Sequence, residues 1–107
     1  MIKCFYGFKR KPNMTVEEFK HYWRVIHVPI ALEIPGIKKY ILCYPLPSEY
    51  LNKEPVYDGV AELWFNSEED LKFAMQTEAW QISGKDGENF MEKSSFISLI
   101  STEDVII

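Results

Sequence analysis

The sequence predicts an α+β fold of element order βαββαβ, built on one four-stranded antiparallel sheet. Three observations carry that expectation. Four segments alternate with the two-residue rhythm of strands: Ile2 to Lys9, Ile37 to Leu46, Tyr57 to Phe65 and Ser95 to Thr102. Two others open on helix-start signals, Thr15 with Glu18 three residues on, and Ser67 followed by Glu68, Glu69 and Asp70. Turn formers mark the joins at Pro12-Asn13, at Pro35-Gly36 and across Pro45 to Pro55. At 107 residues the chain supports a single core and is taken as one domain, residues 1–107.

The first strand places Ile2, Cys4, Tyr6 and Phe8 on one face, with Lys3, Phe5, Gly7 and Lys9 on the other. The basic run Lys9-Arg10-Lys11 is expected in the following turn, in water. The first helix runs from Thr15 to about His27, its start satisfied by a capping box of Thr15 and Glu18. Phe19, Tyr22, Trp23 and Ile26 recur at the i, i+3, i+4, i+7 spacing of one apolar face, and His27 projects from its edge. His21 falls with Glu17, Lys20 and Arg24 on the water side. Pro29 removes a helical hydrogen bond, so a kink or a short second helix to about Glu33 follows.

The second strand has Lys38, Tyr40, Leu42 and Tyr44 on one face and Ile37, Lys39, Ile41 and Cys43 on the other. Neither face is cleanly polar, so both are expected to be covered. The Pro45 to Pro55 loop is long by ordinary connection lengths and therefore a candidate for function. In the third strand Gly59, Ala61, Leu63 and Phe65 suit packing under helices, leaving Asp58, Val60, Glu62 and Trp64 opposite. Asp58, at the strand start, is expected in solvent, whereas Trp64 argues that its own face is covered. The next helix, from Ser67 to Met75, buries Leu71, Ala74 and Met75. Gly84 and Gly87 break Glu78 to Phe90 into helix pieces. The apolar tail Val105-Ile106-Ile107 suits docking on a neighbour.

A formal net charge of -4 with scattered basic residues leaves no footprint for nucleic acid. No apolar run approaches the roughly 18 residues of a membrane span. The N-terminus lacks the charged and apolar regions of a signal peptide, which makes the cytoplasm the default location. Cys4 and Cys43 have no CxxC spacing and are expected as reduced, buried thiols on strands. Phosphate loops, nucleophile elbows and nicotinamide or flavin fingerprints are absent, so no cofactor is expected. His21 and His27 turn to different sides of a helix and cannot share a metal ion.

Set in order, βαββαβ is the ferredoxin-like split arrangement, with sheet order 4-1-3-2 and both helices on one face. That leaves the Trp64 face open in a lone chain. Two sheets paired face to face, as a homodimer, close a barrel-like space and cover it. The same topology predicts no disulfide. Cys4 and Cys43 flank the third strand, and two strand spacings of about 4.8 Å exceed the roughly 7 Å reach of a bridge.

Lys9-Arg10-Lys11-Pro12, Met14-Thr15, Glu18-Phe19, Tyr22-Trp23, His27-Val28-Pro29, Pro35-Gly36 and Tyr40 together resemble the EthD family. Its signature reads K-R-x-x-x-M-T-x-x-E-F-x-x-Y-W-x-x-x-H-x-P, followed by a P-G turn. Ala61 to Phe65 resembles the family's third strand. Asn13 departs from the Gly that members often carry, though Asn also accepts a turn. The resemblance is dense from Lys9 to Tyr40 and thins after Ser67. It implies a dimeric α/β barrel and a small-molecule role often classed with oxidoreductases. Related barrels include muconolactone isomerases and cofactor-free quinone-forming monooxygenases, in which the lumen of each subunit takes a flat, apolar, oxygenated molecule. The family's helix-end histidine matches His27.

On that basis the candidate catalytic residues are His27, Glu62 and Tyr40. An imidazole at the edge of an apolar cavity titrates near neutrality and serves as general acid or base. Glu62 or Asp58 opposite it would orient or charge the ring, and the Tyr40 hydroxyl would polarise a carbonyl. Tyr6, Phe8, Trp23 and Trp64 are the candidate substrate-binding walls. Each has a plainer role: His27 bonded to backbone at the helix end, Glu62 paired with a base across the dimer, Trp23 as core, Trp64 as dimer contact. Two functions stand side by side. One is a cofactor-independent enzyme that moves a proton on a small hydrophobic oxygenated or aromatic compound, as oxidoreductases or isomerases do. The other is a non-catalytic ligand-binding or accessory protein to an oxygenase system.

Overall fold

Alternating apolar side chains gather four strands into one sheet. In the computed structural model, which describes residues 1–107, these are β1 (Ile2–Arg10), β2 (Lys39–Cys43), β3 (Gly59–Phe65) and β4 (Met91–Ser101). They lie in the order β2-β3-β1-β4, antiparallel throughout, which is the expected ferredoxin-like arrangement. Register pairs Tyr6 with Ala61 and Ser98, and Tyr40 with Leu63. Those side chains share the face under the helices, while Phe5, Glu62 and Leu99 meet on the other.

β4 begins at Met91, before the expected Ser95, because its alternation is interrupted by an irregularity opposite Gly7 to Lys9. Ser95 fills the break. Its hydroxyl accepts the Lys9 N–H at 2.8 Å and donates to the Glu92 carbonyl at 2.6 Å. A bulge of this kind shifts the two-residue phase, which is why the alternation is legible only from Ser95 onward.

Thr15 caps α1 (Val16–His21) as its sequence requires: its hydroxyl accepts the Glu18 N–H, and the Glu18 carboxylate accepts the Thr15 N–H. The helix then widens. Tyr22–His27 is π-helical, the Val28 N–H reaching back five residues to the Trp23 carbonyl, before α2 (Val28–Ala31). In an unbroken α-helix the Pro29 ring would press on the Val25 carbonyl; the widened turn lies just ahead of it. Register changes as a result. Each i+4 step along an α-helix drifts by about 40°, yet Phe19, Trp23, His27 and Ala31 are all buried, because the π turn takes the drift back out. Ile26, expected on the apolar face, is turned outward and 43% exposed.

Ser67 and Thr77 cap α3 (Glu68–Met75) and α4 (Glu78–Asp86), and a 3₁₀ turn, Gly87–Asn89, leads into β4. Leu71 and Ala74 of α3 pack with Cys4, Ile34, Leu63 and Phe65, while Phe8, Phe19, Trp23, Ala61 and Phe90 form a second, aromatic cluster. No helix is long and apolar enough to cross a membrane.

Two expectations about charge are overturned. Arg10 ends β1 instead of standing in solvent; its guanidinium pairs with Asp58 and Glu54, each at 2.7 Å, and donates to the Met14 carbonyl. Asp58 is 5% exposed and also accepts the Arg10 N–H and the Tyr50 hydroxyl. A buried carboxylate persists where donors compensate it, and this cluster fastens the proline-rich loop to β1. Both cysteines are free; Cys4 is buried, but Cys43 ends edge strand β2 and is exposed.

Candidate active site

A cavity of about 330 Å³ lies between the sheet and the helices. Tyr6, Phe8, Ala61 and Leu63 form its floor, with Tyr40 beside them from β2. Trp23, His27, Ala31 and Trp80 cover it from the helices, and Met75, Met91, Phe96 and Ser98 stand at its edge. Twelve of the sixteen lining residues are hydrophobic and none is Lys, Arg, Asp or Glu. A bound molecule therefore meets imidazole and hydroxyl groups rather than a formal charge.

The π turn aims His27 at this space, and the ring is 7% exposed. Its Nδ1 lies 2.7 Å from Oδ2 of Asp86, the last residue of α4. The other Asp86 oxygen accepts the Tyr22 hydroxyl at 2.6 Å and the Asn89 amide at 3.0 Å. Asn89 also donates to the Tyr22 oxygen, and the Phe90 ring packs 4.8 Å from the imidazole. With Asp86 ionised, the proton resides on Nδ1 and the lone pair on Nε2, the nitrogen left for the cavity.

The electrostatics favour the neutral ring. Burial pushes His27 below its ordinary value, with the Asp86 bond opposing it in part, so the neutral base prevails at neutral pH. Burial alone would raise Asp86, but hydrogen bonds from Tyr22, His27 and Asn89 hold it below the usual carboxylate range. Burial pushes Tyr40 up to about 12 and raises Tyr6 as well, so both hydroxyls keep their protons and remain donors.

Tyr6, Phe8, Trp23, His27 and Tyr40 line one cavity, whereas Glu62 and Trp64 lie on the far face of β3. Successive strand residues face opposite sides, and Ala61 and Leu63 take the cavity side. Glu62 instead pairs with Lys3 at 3.5 Å, and the Trp64 ring lies 5.1 and 5.4 Å from the Lys3 and Lys39 amines. The carboxylate beside His27 is Asp86, not Glu62 or Asp58. One sequence signal pointed to it: an acid in the last turn of a helix sits where the macrodipole disfavours it.

A family model for the EthD domain matches residues 11–94. Among solved structures, an EthD family protein from Bacillus halodurans is similar at TM-score 0.75 and 22% identity, covering 97% of this chain and 100% of the other. A dimeric protein of unknown function and ferredoxin-like fold from Bacteroides fragilis gives 0.61 at 17% identity, over 94% and 93%. SnoaB, a cofactor-independent oxygenase from Streptomyces nogalater, gives 0.68 at 9% identity, over 99% and 95%. No curated protein matches the sequence. The structural likenesses establish the fold, and the family match covers the helix carrying His27, its partner Asp86 and most of the cavity lining: the chain belongs to the EthD family.

Proposed function

We propose that this chain binds a small, apolar, oxygenated or aromatic compound in the cavity and moves a proton on it through His27, without an organic cofactor. The His27–Asp86 pair at the cavity wall carries this reading. Asp86 holds the Nδ1 proton, which leaves Nε2 as the base; once that nitrogen takes a proton, the neighbouring carboxylate stabilises the imidazolium. Tyr40 is suited to donate to a carbonyl oxygen as charge develops there. Proton removal beside a carbonyl is a step that isomerisation and cofactor-free oxygenation share. SnoaB, of the same fold, is a cofactor-independent oxygenase, which supports chemistry of this kind in such a cavity.

The chain acts as a single EthD domain in a homodimer closed through the outer sheet face. Leu99 and Ile97 are 59% and 41% exposed there, and the buried Trp64 Nε1 has no acceptor within the chain. The Bacteroides fragilis protein of similar fold is dimeric, which supports this assembly.

A panel of aromatic lactones, quinones and phenols, read by both thermal shift and product mass, tests the reading. Wild type is expected to form product from a compound that stabilises it, and His27→Gln to bind that compound without converting it. Stabilisation with no product from any compound would overturn the catalytic reading in favour of a ligand-binding or accessory role.

A further inference from the structure

Exposure runs in one direction along the cavity. Phe8, Trp23, Ala31, Ala61 and Leu63 are nearly inaccessible, whereas Met75 and Phe96 are 40% and 43% exposed, and Gly84 and Ser98 are exposed too. The mouth therefore lies between α4 and β4. Trp80, Ser83 and Gly84 line the cavity at helical spacing, so residue 84 shares a face of α4 with Trp80.

Glycine is the least favourable helix-interior residue apart from proline, and elsewhere the fold explains its use. Gly36 has φ +88°, and a Cβ at Gly59 would run into the Trp23 ring. Gly84 has no such reason: its φ is not positive, and a Cβ there would meet no atom within 4 Å. What the missing side chain leaves is room at the mouth.

The rim around that room is apolar. Met75 and Met91 are adaptable side chains suited to gripping varied apolar chains, and Phe96 stacks on Tyr6 at 5.4 Å. No charged residue lines the wall to compensate a carboxylate, phosphate or ammonium group. We propose that Gly84 holds the mouth open and that the ligand is an uncharged ring compound whose apolar side chain leaves between α4 and β4. This rests on the reading of the cavity as a ligand site.

The test titrates wild type, Gly84→Ala and Gly84→Leu with two neutral probes, 2-naphthol and 6-hexyl-2-naphthol. Gly84→Ala is expected to raise Tm, since it adds helix propensity, and to weaken the hexyl probe less than Gly84→Leu does, since it adds less bulk at the mouth. Gly84→Leu is expected to weaken the hexyl probe roughly tenfold, the loss of about two buried methylenes, while 2-naphthol changes far less. Unchanged binding of the hexyl probe by Gly84→Leu, or an equal loss of both probes, overturns the assignment of the mouth. If wild type binds neither probe, the ligand-site reading falls with it. Failure of the proton-transfer reading looks different: both probes bind, Gly84→Leu discriminates between them, and no panel compound is converted.

Discussion

His27 and Asp86 stand 59 residues apart in the chain and 2.7 Å apart in the fold, each supplied by the end of a different helical unit. Asp86 is in turn held by Tyr22, one π-helical turn before His27, so the imidazole and its carboxylate are fixed by a common support.

His27→Gln is expected to lower turnover by about 10²–10⁴-fold, the usual contribution of a positioned general base. In the proposed reaction Asp86 acts through His27 as a positioning residue. Its hydrogen bond opposes the lowering of the His27 pKa by burial, so Asp86→Asn should move the acid limb of the kcat/KM profile to lower pH as well as reduce kcat. A purely structural Asp86 would lower Tm and leave that limb in place.

The same pair sets an acid-side stability profile. His27 is depressed from an ordinary 6.5, so its stabilisation is present above that value and is lost as pH falls through the folded pKa. Asp86, depressed from 3.8, loses its contribution in a lower window. Tm should decline as pH falls below 6.5 toward the folded pKa of His27, and His27→Gln should flatten that upper segment while leaving the part of the lower one that Tyr22 and Asn89 sustain.

Asp58→Ala leaves Arg10 and Tyr50 without the acceptor that both use. Arg10 keeps Glu54 as a partner, so the cost is that of buried donors left unsatisfied, about 1–3 kcal/mol, and the urea midpoint should fall by a corresponding amount. His27 lies elsewhere, and its pH profile should not change.

Gly59→Ala drives a methyl group into the Trp23 ring. Trp23 is 1% exposed and packed against Phe8 at 5.0 Å, so it has little room to yield. Overpacking of this sort costs about 1–3 kcal/mol, measurable by thermal unfolding.

Leu99→Arg places a charge on the outer sheet face, opposite Phe5. The homodimer reading expects a monomer by light scattering with an unchanged far-UV spectrum, since Leu99 is 59% exposed within the chain. A dimer that survives this change would place the interface elsewhere.

Much of the fold was legible because its causes are local. The Thr15 and Ser67 caps, the alternation of β1 and β3 and the break at Pro29 each rest on residues a few positions apart. The errors arose where distant partners intervened. Ser95 hides a bulge against β1, and the π turn rotates Ile26 outward while carrying His27 in. Arg10 and Asp58, each unremarkable in its own segment, neutralise one another across β1 and the loop.

The sequence by itself determined the succession of strands and helices, the sheet order that follows from it, and His27 as a candidate for chemistry, since periodicity, capping and motif spacing are written along the chain. Only the tertiary structure decided which carboxylate serves that histidine. It also decided that Glu62 and Trp64 face away from the cavity and that Gly84 stands at its mouth. Those relations depend on which faces of β3 and α4 meet the helix carrying His27, and on a widened turn whose register no α-helical spacing predicts.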